Sequence, residues 1–164
     1  MPGSVAAIVR VAPECSVAAA CRDADLVIEA VVEDLAVKRE VFRQASGTTG
    51  PNTLLASNTS SLSITAIAAG LPRPERVLGL HFFNPVHLMR LVEVVVHPGT
   101  SDACLETALA LVRGMGKEPI VVKDSPGFAA NRVSHLFMNE AAHLVLESIA
   151  TTEQVDAIFK NGYG

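Results

Sequence analysis

His81 stands in one apolar run, VLGLHFF (77–83), and Glu93 in the next, LVEVVVH (91–97). The link between them, residues 84–90, is too short for a parallel crossover, so the two runs read as antiparallel neighbours. A register symmetric about His87 sets His81 opposite Glu93, with Cβ atoms about 5 Å apart. Period-two alternation places Glu93 on the face of Leu91 and Val95, where an unpaired carboxylate is costly. An imidazole is its natural partner. The carboxylate then fixes the ring's tautomer and stabilises the imidazolium, which makes the pair half of a general-base system. The plainer reading is a structural His–Glu hydrogen bond at a sheet edge.

Three polar groups fall at the ends of three apolar runs. Glu33 follows DLVIEAVV (25–32), Ser60 follows 53–57, and His81 lies near the end of 77–83. In an open α/β sheet, ligands collect outside the carboxyl ends of the strands, so the three groups converge on one crevice, although strand ends are polar in any case. Ser60 belongs to SNTSS (57–61), whose hydroxyls and amide can polarise a substrate oxygen or simply make turns and caps. Ser61 or Ser63 supplies a helix cap and leaves Ser60 free. Asn131 falls inside a helical pattern, where Asn is a poor residue, and this argues for a specific partner. His87, His97, His135 and His143 show no comparable pairing, and Met89, Met115 and Met138 read as packing.

The elements that position these groups alternate in type. Residues 25–32 form a continuous apolar run, the mark of a strand covered on both faces. Asp34 caps a helix to about Ala45, with Leu35, Val41, Phe42 and Ala45 on its apolar face and Lys38 and Arg39 off it. Gly47, Gly50 and Pro51 end that helix. A strand at 53–57, a short helix at 63–69, strands at 77–83 and 91–97, a helix opened by Ser101 and a strand at 119–123 follow. This order predicts an α/β sheet with helices on its faces. At KDSPGF (123–128) the composition changes: Ser125 reads as an N-cap with Pro126 at N1. A long helix is expected from Phe128 to Glu147, and a further capped start at Thr152. Residues 1–124 are thus expected to be one α/β part and 125–164 the start of an all-helical part.

Composition excludes several functions. Apolar residues make up 49% and charged residues 18%, so the chain is not a disordered spacer. Aromatics are 4% with no Trp, too few for a nucleic-acid stacking platform, and the net charge of −4 argues against a phosphate-backbone binder. No stretch of about 20 residues stays apolar without a charge, so no membrane span is expected. Cys15, Cys21 and Cys104 form no CxxC pair, which argues against a zinc site or a disulfide framework and for buried thiols in a reducing cytoplasm. The start MPGSVAAIVR lacks the basic region of a signal peptide. A strand followed by GxGxxG, which would cradle a dinucleotide pyrophosphate, is not found: residues 1–46 contain one glycine, Gly3.

The series EAVVEDLAVKREVF (29–42), LASNTSSLSIT (55–65), GLHFFNPVHLMRLVEVV (79–95) and KDSPGFAANRV (123–133) closely resembles the 3-hydroxyacyl-CoA dehydrogenase family, from about residue 23 to residue 164. The resemblance implies an incomplete doubly wound, Rossmann-like NAD-binding domain followed by the first part of a helical domain. It implies NAD-dependent oxidation of an L-3-hydroxyacyl-CoA to the 3-ketoacyl-CoA, in fatty-acid β-oxidation or butanoate metabolism. By position, His81 is then the general base and Glu93 its orienting carboxylate. Ser60 and Asn131 hold the substrate's oxygen and thioester region, and Glu33, Lys38 and Asn84 contact the cofactor. The resemblance also implies a homodimer for the full-length enzyme. Residues 1–15 fall outside it and the Gly-rich turn is missing, so the chain reads as a middle piece with impaired NAD binding. Two other readings stand beside this one: the related L-gulonate dehydrogenase and lambda-crystallin group, and a non-catalytic remnant.

Overall fold

A computed structural model describes residues 13, 14 and 16–163; the segment MPGSVAAIVR and Cys15 lie outside the described residues. Five strands form one mixed sheet in sequential order: β1 (Leu26–Glu29), β2 (Leu54–Ser57), β3 (Val77–Phe82), β4 (Leu91–Val96) and β5 (Glu118–Lys123). Between them run α2 (Leu35–Thr48), α3 (Ile64–Ala68) and α4 (Asp102–Gly114), with a short α1 (Val17–Cys21) ahead of β1. Helical crossovers make β1–β2, β2–β3 and β4–β5 parallel. The short link between β3 and β4 makes that pair antiparallel, as its length requires.

Side-chain alternation divides the core between the two faces of the sheet. Leu55, Val77, Val95 and Phe128 pack with Phe42, Ala45, Ile64 and Ile67 on one face. Leu54, Ala56, Leu78, Leu80, Val92 and Val94 pack with Cys104, Ala108 and Val112 of α4 on the other. Gly79 of β3 permits the close approach of α3: a Cβ there would stand 2.9 Å from that of Val95 and 3.0 Å from Ile64 Cδ1.

Several expectations are corrected. The first strand is four residues long rather than eight, and among the described residues it pairs on one side only. Ile28 is 39% exposed, so among the described residues this strand is not covered on both faces. α2 continues through Gly47 to Thr48 because tertiary contacts satisfy its end: the Arg76 guanidinium donates to the carbonyls of Ser46, Gly50 and Thr53. Lys38 sits on the buried face of α2, not off it. The last two helices are α5 (Ala130–Leu146) and α6 (Thr152–Gly162). Ser125 does not cap α5. The chain first turns through Gly127 (φ 74°) and Phe128 (φ 50°), and the N-cap position falls to Ala129, which offers no side-chain acceptor. α6 starts at Thr152 as expected, capped by Thr151 in a capping box with Gln154.

Cys21 and Cys104 are buried and free, and burial pushes the Cys104 thiol up to about 11. Among the described residues no helix is long and apolar enough to cross a membrane. α5 buries none of its side chains; with α6 and β5 it borders an open groove of about 800 Å³ lined by Ile120, Val133, Phe137, Val155 and Phe159, with Glu93 beside it.

Candidate active site

The antiparallel register pairs His81 of β3 with Glu93 of β4. His81 Nδ1 lies 2.8 Å from Glu93 Oε2, and both side chains are buried. The imidazole is flanked by Phe83 (ring centroids 4.5 Å apart) and, edge-on, by Phe128 (5.8 Å). Glu93 has further partners that the sequence reading missed. Its Oε1 accepts from the backbone N–H of Ala129 (3.1 Å) and Ala130 (2.8 Å), at the start of α5. A helix N-terminus exposes unpaired N–H groups and favours an anion, so Glu93 supplies from β4 the cap that α5 lacks in its own sequence.

A second cluster gathers at the ends of β1 and β2. Glu33 Oε1 accepts from the Thr59 hydroxyl, from Ser60 N–H (3.1 Å) and from Ser61 Oγ (3.3 Å). Its Oε2 lies 3.2 Å from Lys38 Nζ, and the carboxylate is 42% exposed. Burial pushes the Glu33 carboxyl up, but the hydrogen bonds from Thr59 and Lys38, and the Lys38 charge, outweigh it and hold the group below its ordinary value. Lys38 is 1% exposed and its ammonium donates to Glu29 Oε1 (2.7 Å) and to the carbonyl of Val31 (3.2 Å). With Glu33, that occupies all three of its hydrogens. Lys38 therefore stands behind Glu33 rather than at the crevice. Glu29 also accepts from Ser57 Oγ (2.7 Å) and Val31 N–H (2.7 Å). Glu29 and Thr59 went unnoticed in the sequence; the one available signal was a lone carboxylate inside the run 25–32.

Ser60 and Asn131 come together. Asn131 Nδ2 donates to the Ser60 carbonyl at 2.8 Å, and Ser60 itself is exposed. Asn58 of the same loop accepts from Phe82 N–H (3.0 Å) and ties the loop to the end of β3. Hydrogen bonds thus tie Ser60 to Asn131 and, one peptide bond away, Ala130 to Glu93 and Glu93 to His81, while Glu33 joins at Ser60. Asn84 stands apart from these bonds. It is exposed in the loop after β3, and Lys117 pins this loop by donating to the carbonyls of Val86 and Met89. Asp124 closes the junction before α5: its Oδ2 accepts from Ser63 Oγ (2.8 Å) and from Thr65 N–H (2.8 Å) and Oγ1 (2.6 Å).

An imidazole held by a carboxylate, beside a loop of hydroxyl and amide groups at strand ends, suits proton removal from a substrate hydroxyl. The chain is 51% identical over 142 residues to the fatty acid oxidation complex subunit alpha of Shewanella amazonensis, covering 87% of this chain and 20% of that protein. Among solved structures it is similar to 3-hydroxybutyryl-CoA dehydrogenase from Escherichia coli (TM-score 0.84, 44% identity, 91% of this chain and 31% of that one). It is also similar to 5-formyl-3-hydroxy-2-methylpyridine 4-carboxylic acid 5-dehydrogenase, an NAD+ dependent dismutase (TM-score 0.85, 37% identity, 91% and 48%). The chain therefore spans about a fifth of the curated relative's length and a third to a half of the solved chains. The family model for the 3-hydroxyacyl-CoA dehydrogenase NAD binding domain matches residues 4–125, reaching further toward the start than the motifs above, and that for the C-terminal domain matches residues 127–164. With the Rossmann-like mixed sheet, the buried His–Glu pair and these two matches in agreement, the chain belongs to the 3-hydroxyacyl-CoA dehydrogenase family.

Proposed function

We propose that this chain carries the base and the oxygen-binding wall of an NAD-dependent oxidation of L-3-hydroxyacyl-CoA to 3-ketoacyl-CoA, as used in fatty-acid oxidation in the cytoplasm. The observation that carries the reading is the buried contact of His81 Nδ1 with Glu93 Oε2 at 2.8 Å. In this role Glu93 holds the hydrogen on Nδ1, leaving the Nε2 lone pair to take the proton of the 3-hydroxyl. As positive charge forms on the ring, the carboxylate stabilises it. The Ser60 hydroxyl and the Asn131 amide hold the substrate's oxygen and thioester region, and the bond from the Asn131 amide to the Ser60 backbone carbonyl fixes the two residues side by side.

The cofactor fits in part. Glu33, exposed at a strand end, and Asn84, exposed after β3, suit the ribose and nicotinamide end of NAD, which supplies the hydride acceptor when bound. Lys38 contributes through Glu33. For the pyrophosphate the described residues offer little. The turn between β1 and α2 contains no glycine, and the N-terminus of α2 is already capped by Asp34, whose Oδ1 accepts from Val37 N–H at 3.0 Å. We therefore read the 164-residue chain as a weak binder of NAD with slow turnover. The exposed apolar side chains of Val133, Leu136, Phe137 and Met138 on α5 support a homodimer formed through the helical part.

The pyridine-carboxylate dehydrogenase among the similar structures favours a second reading, in which the same dyad serves a hydroxyl or aldehyde substrate without coenzyme A. Oxidation of NADH by acetoacetyl-CoA, compared with a free keto acid or sugar acid of similar length, separates the two. Preference for the thioester supports the first reading, and preference for the free acid supports the second.

A further inference from the structure

The contacts of Glu93 carry an inference about what fixes the protonation pattern of His81. Three nitrogens converge on this one side chain: the backbone N–H groups of Ala129 and Ala130 on Oε1, and His81 Nδ1 on Oε2. The two backbone groups can only donate. They therefore demand an acceptor at the Oε1 position, whatever side chain stands at 93. We propose that the first amides of α5 act as a tautomer selector for His81, working through Glu93.

With a carboxylate the demand is met on both sides: Oε1 accepts from the helix, Oε2 accepts from the ring, and the imidazole hydrogen is held on Nδ1. With a carboxamide the symmetry is lost. The amides of Ala129 and Ala130 draw the carbonyl oxygen to themselves, and the NH2 group must face His81. The ring can answer this donor only by placing its lone pair on Nδ1 and its hydrogen on Nε2. A glutamine free of the helix would instead turn its carbonyl to the ring and keep the original tautomer. The helix start thus fixes which end of the residue-93 side chain faces His81, and in the carboxamide variant it decides which nitrogen of the ring is free to accept a proton. Ala129 and Ala130 are positioning residues in this scheme, and so is the turn that aims them. That turn holds Gly127 and Phe128 at positive φ and packs the buried Phe128 ring edge-on to His81.

The inference rests on the proposed role of His81 only for its catalytic consequence; the tautomer itself is read without substrate or cofactor. Long-range 1H–15N correlation spectra of the neutral His81 ring are to be recorded for the full chain and for Glu93→Gln. The expected result is Nδ1–H in the wild type and Nε2–H in Glu93→Gln. Nδ1–H retained in a folded Glu93→Gln, or Nε2–H in the wild type, overturns the proposal. Should Glu93→Gln fail to fold, couplings across the hydrogen bonds between the Ala129 and Ala130 amide nitrogens and the Glu93 carboxylate carbon, measured in the wild type, decide it. Both present supports the selector, and their absence overturns it. Where turnover is measurable, Glu93→Gln loses kcat on a scale of up to ~10⁴, that of a wrong imidazole tautomer, with KM little changed. A switched tautomer in a chain with no dehydrogenase activity would leave the selector standing and defeat the functional reading alone.

Discussion

Asn131 and Ser60, 71 residues apart in sequence, meet in a 2.8 Å hydrogen bond from the Asn131 side-chain amide to the Ser60 carbonyl. This bond joins the first turn of α5 to the loop after β2, and the same loop reaches Glu33 through the Ser60 N–H. Two walls of the crevice are thereby fixed to each other. Asn131→Ala removes the bond at a partly exposed position, so a stability loss of about 1 kcal/mol is expected. It should also raise KM for acetoacetyl-CoA. Chemical denaturation and steady-state kinetics check both, and a variant unchanged in both contradicts the latch.

Lys38 and Glu29 form an ion pair withdrawn from solvent, 2.7 Å apart. Lys38→Met leaves a buried carboxylate without its cation, which costs about 3–5 kcal/mol. Removing both charges, in Lys38→Met with Glu29→Gln, should recover a large part of that loss. Urea midpoints for the single and double variants test this. Losses that simply add would show that the two side chains do not act as a pair.

Acid should loosen the junction before α5. Burial pushes the Asp124 carboxyl up, but the hydrogen bonds from Thr65 and Ser63 outweigh it and hold the group below its ordinary value. A carboxyl depressed in the folded state contributes stability that is fully present above its unfolded value, about pH 4. That stability is lost as the pH falls through the lower folded value. Asp124→Asn should therefore destabilise the chain at pH 7 and flatten its stability profile below about pH 4. An unchanged acid limb would show that the junction does not depend on this charge.

The cofactor reading also has a direct check. Calorimetric titration of the 164-residue chain with NAD tests the weak binding proposed above, with no micromolar affinity as the expected outcome. Micromolar binding would contradict this part of the account.

The dyad was legible because a short link between two apolar runs admits one register, and that register pairs residue 81 with residue 93. The short helix capped by Ser63 and the helix opened by Ser101 followed equally from local capping. Lys38 misled because a lysine inside a helix reads as a solvated residue. Its burial is decided by Glu29, which lies in another element and looks like a blemish in an apolar strand. The start of α5 misled for a similar reason. Ser-Pro is a good local cap signal, but the chain spends Gly127 and Phe128 on a left-handed turn, and the cap arrives from Glu93 on a distant strand. Caps and a register set by a short link could be read from the sequence, whereas partners on elements whose packing no local signal fixes needed the fold.

The account turns on His81 as the base. The most direct measurement is NADH oxidation by acetoacetyl-CoA, at high NADH, for the wild-type chain and for His81→Ala. Slow turnover in the wild type, reduced by about 10²–10⁴ in the variant with a similar KM for acetoacetyl-CoA, is the predicted result. No turnover in the wild type, or equal rates in the two proteins, would contradict it.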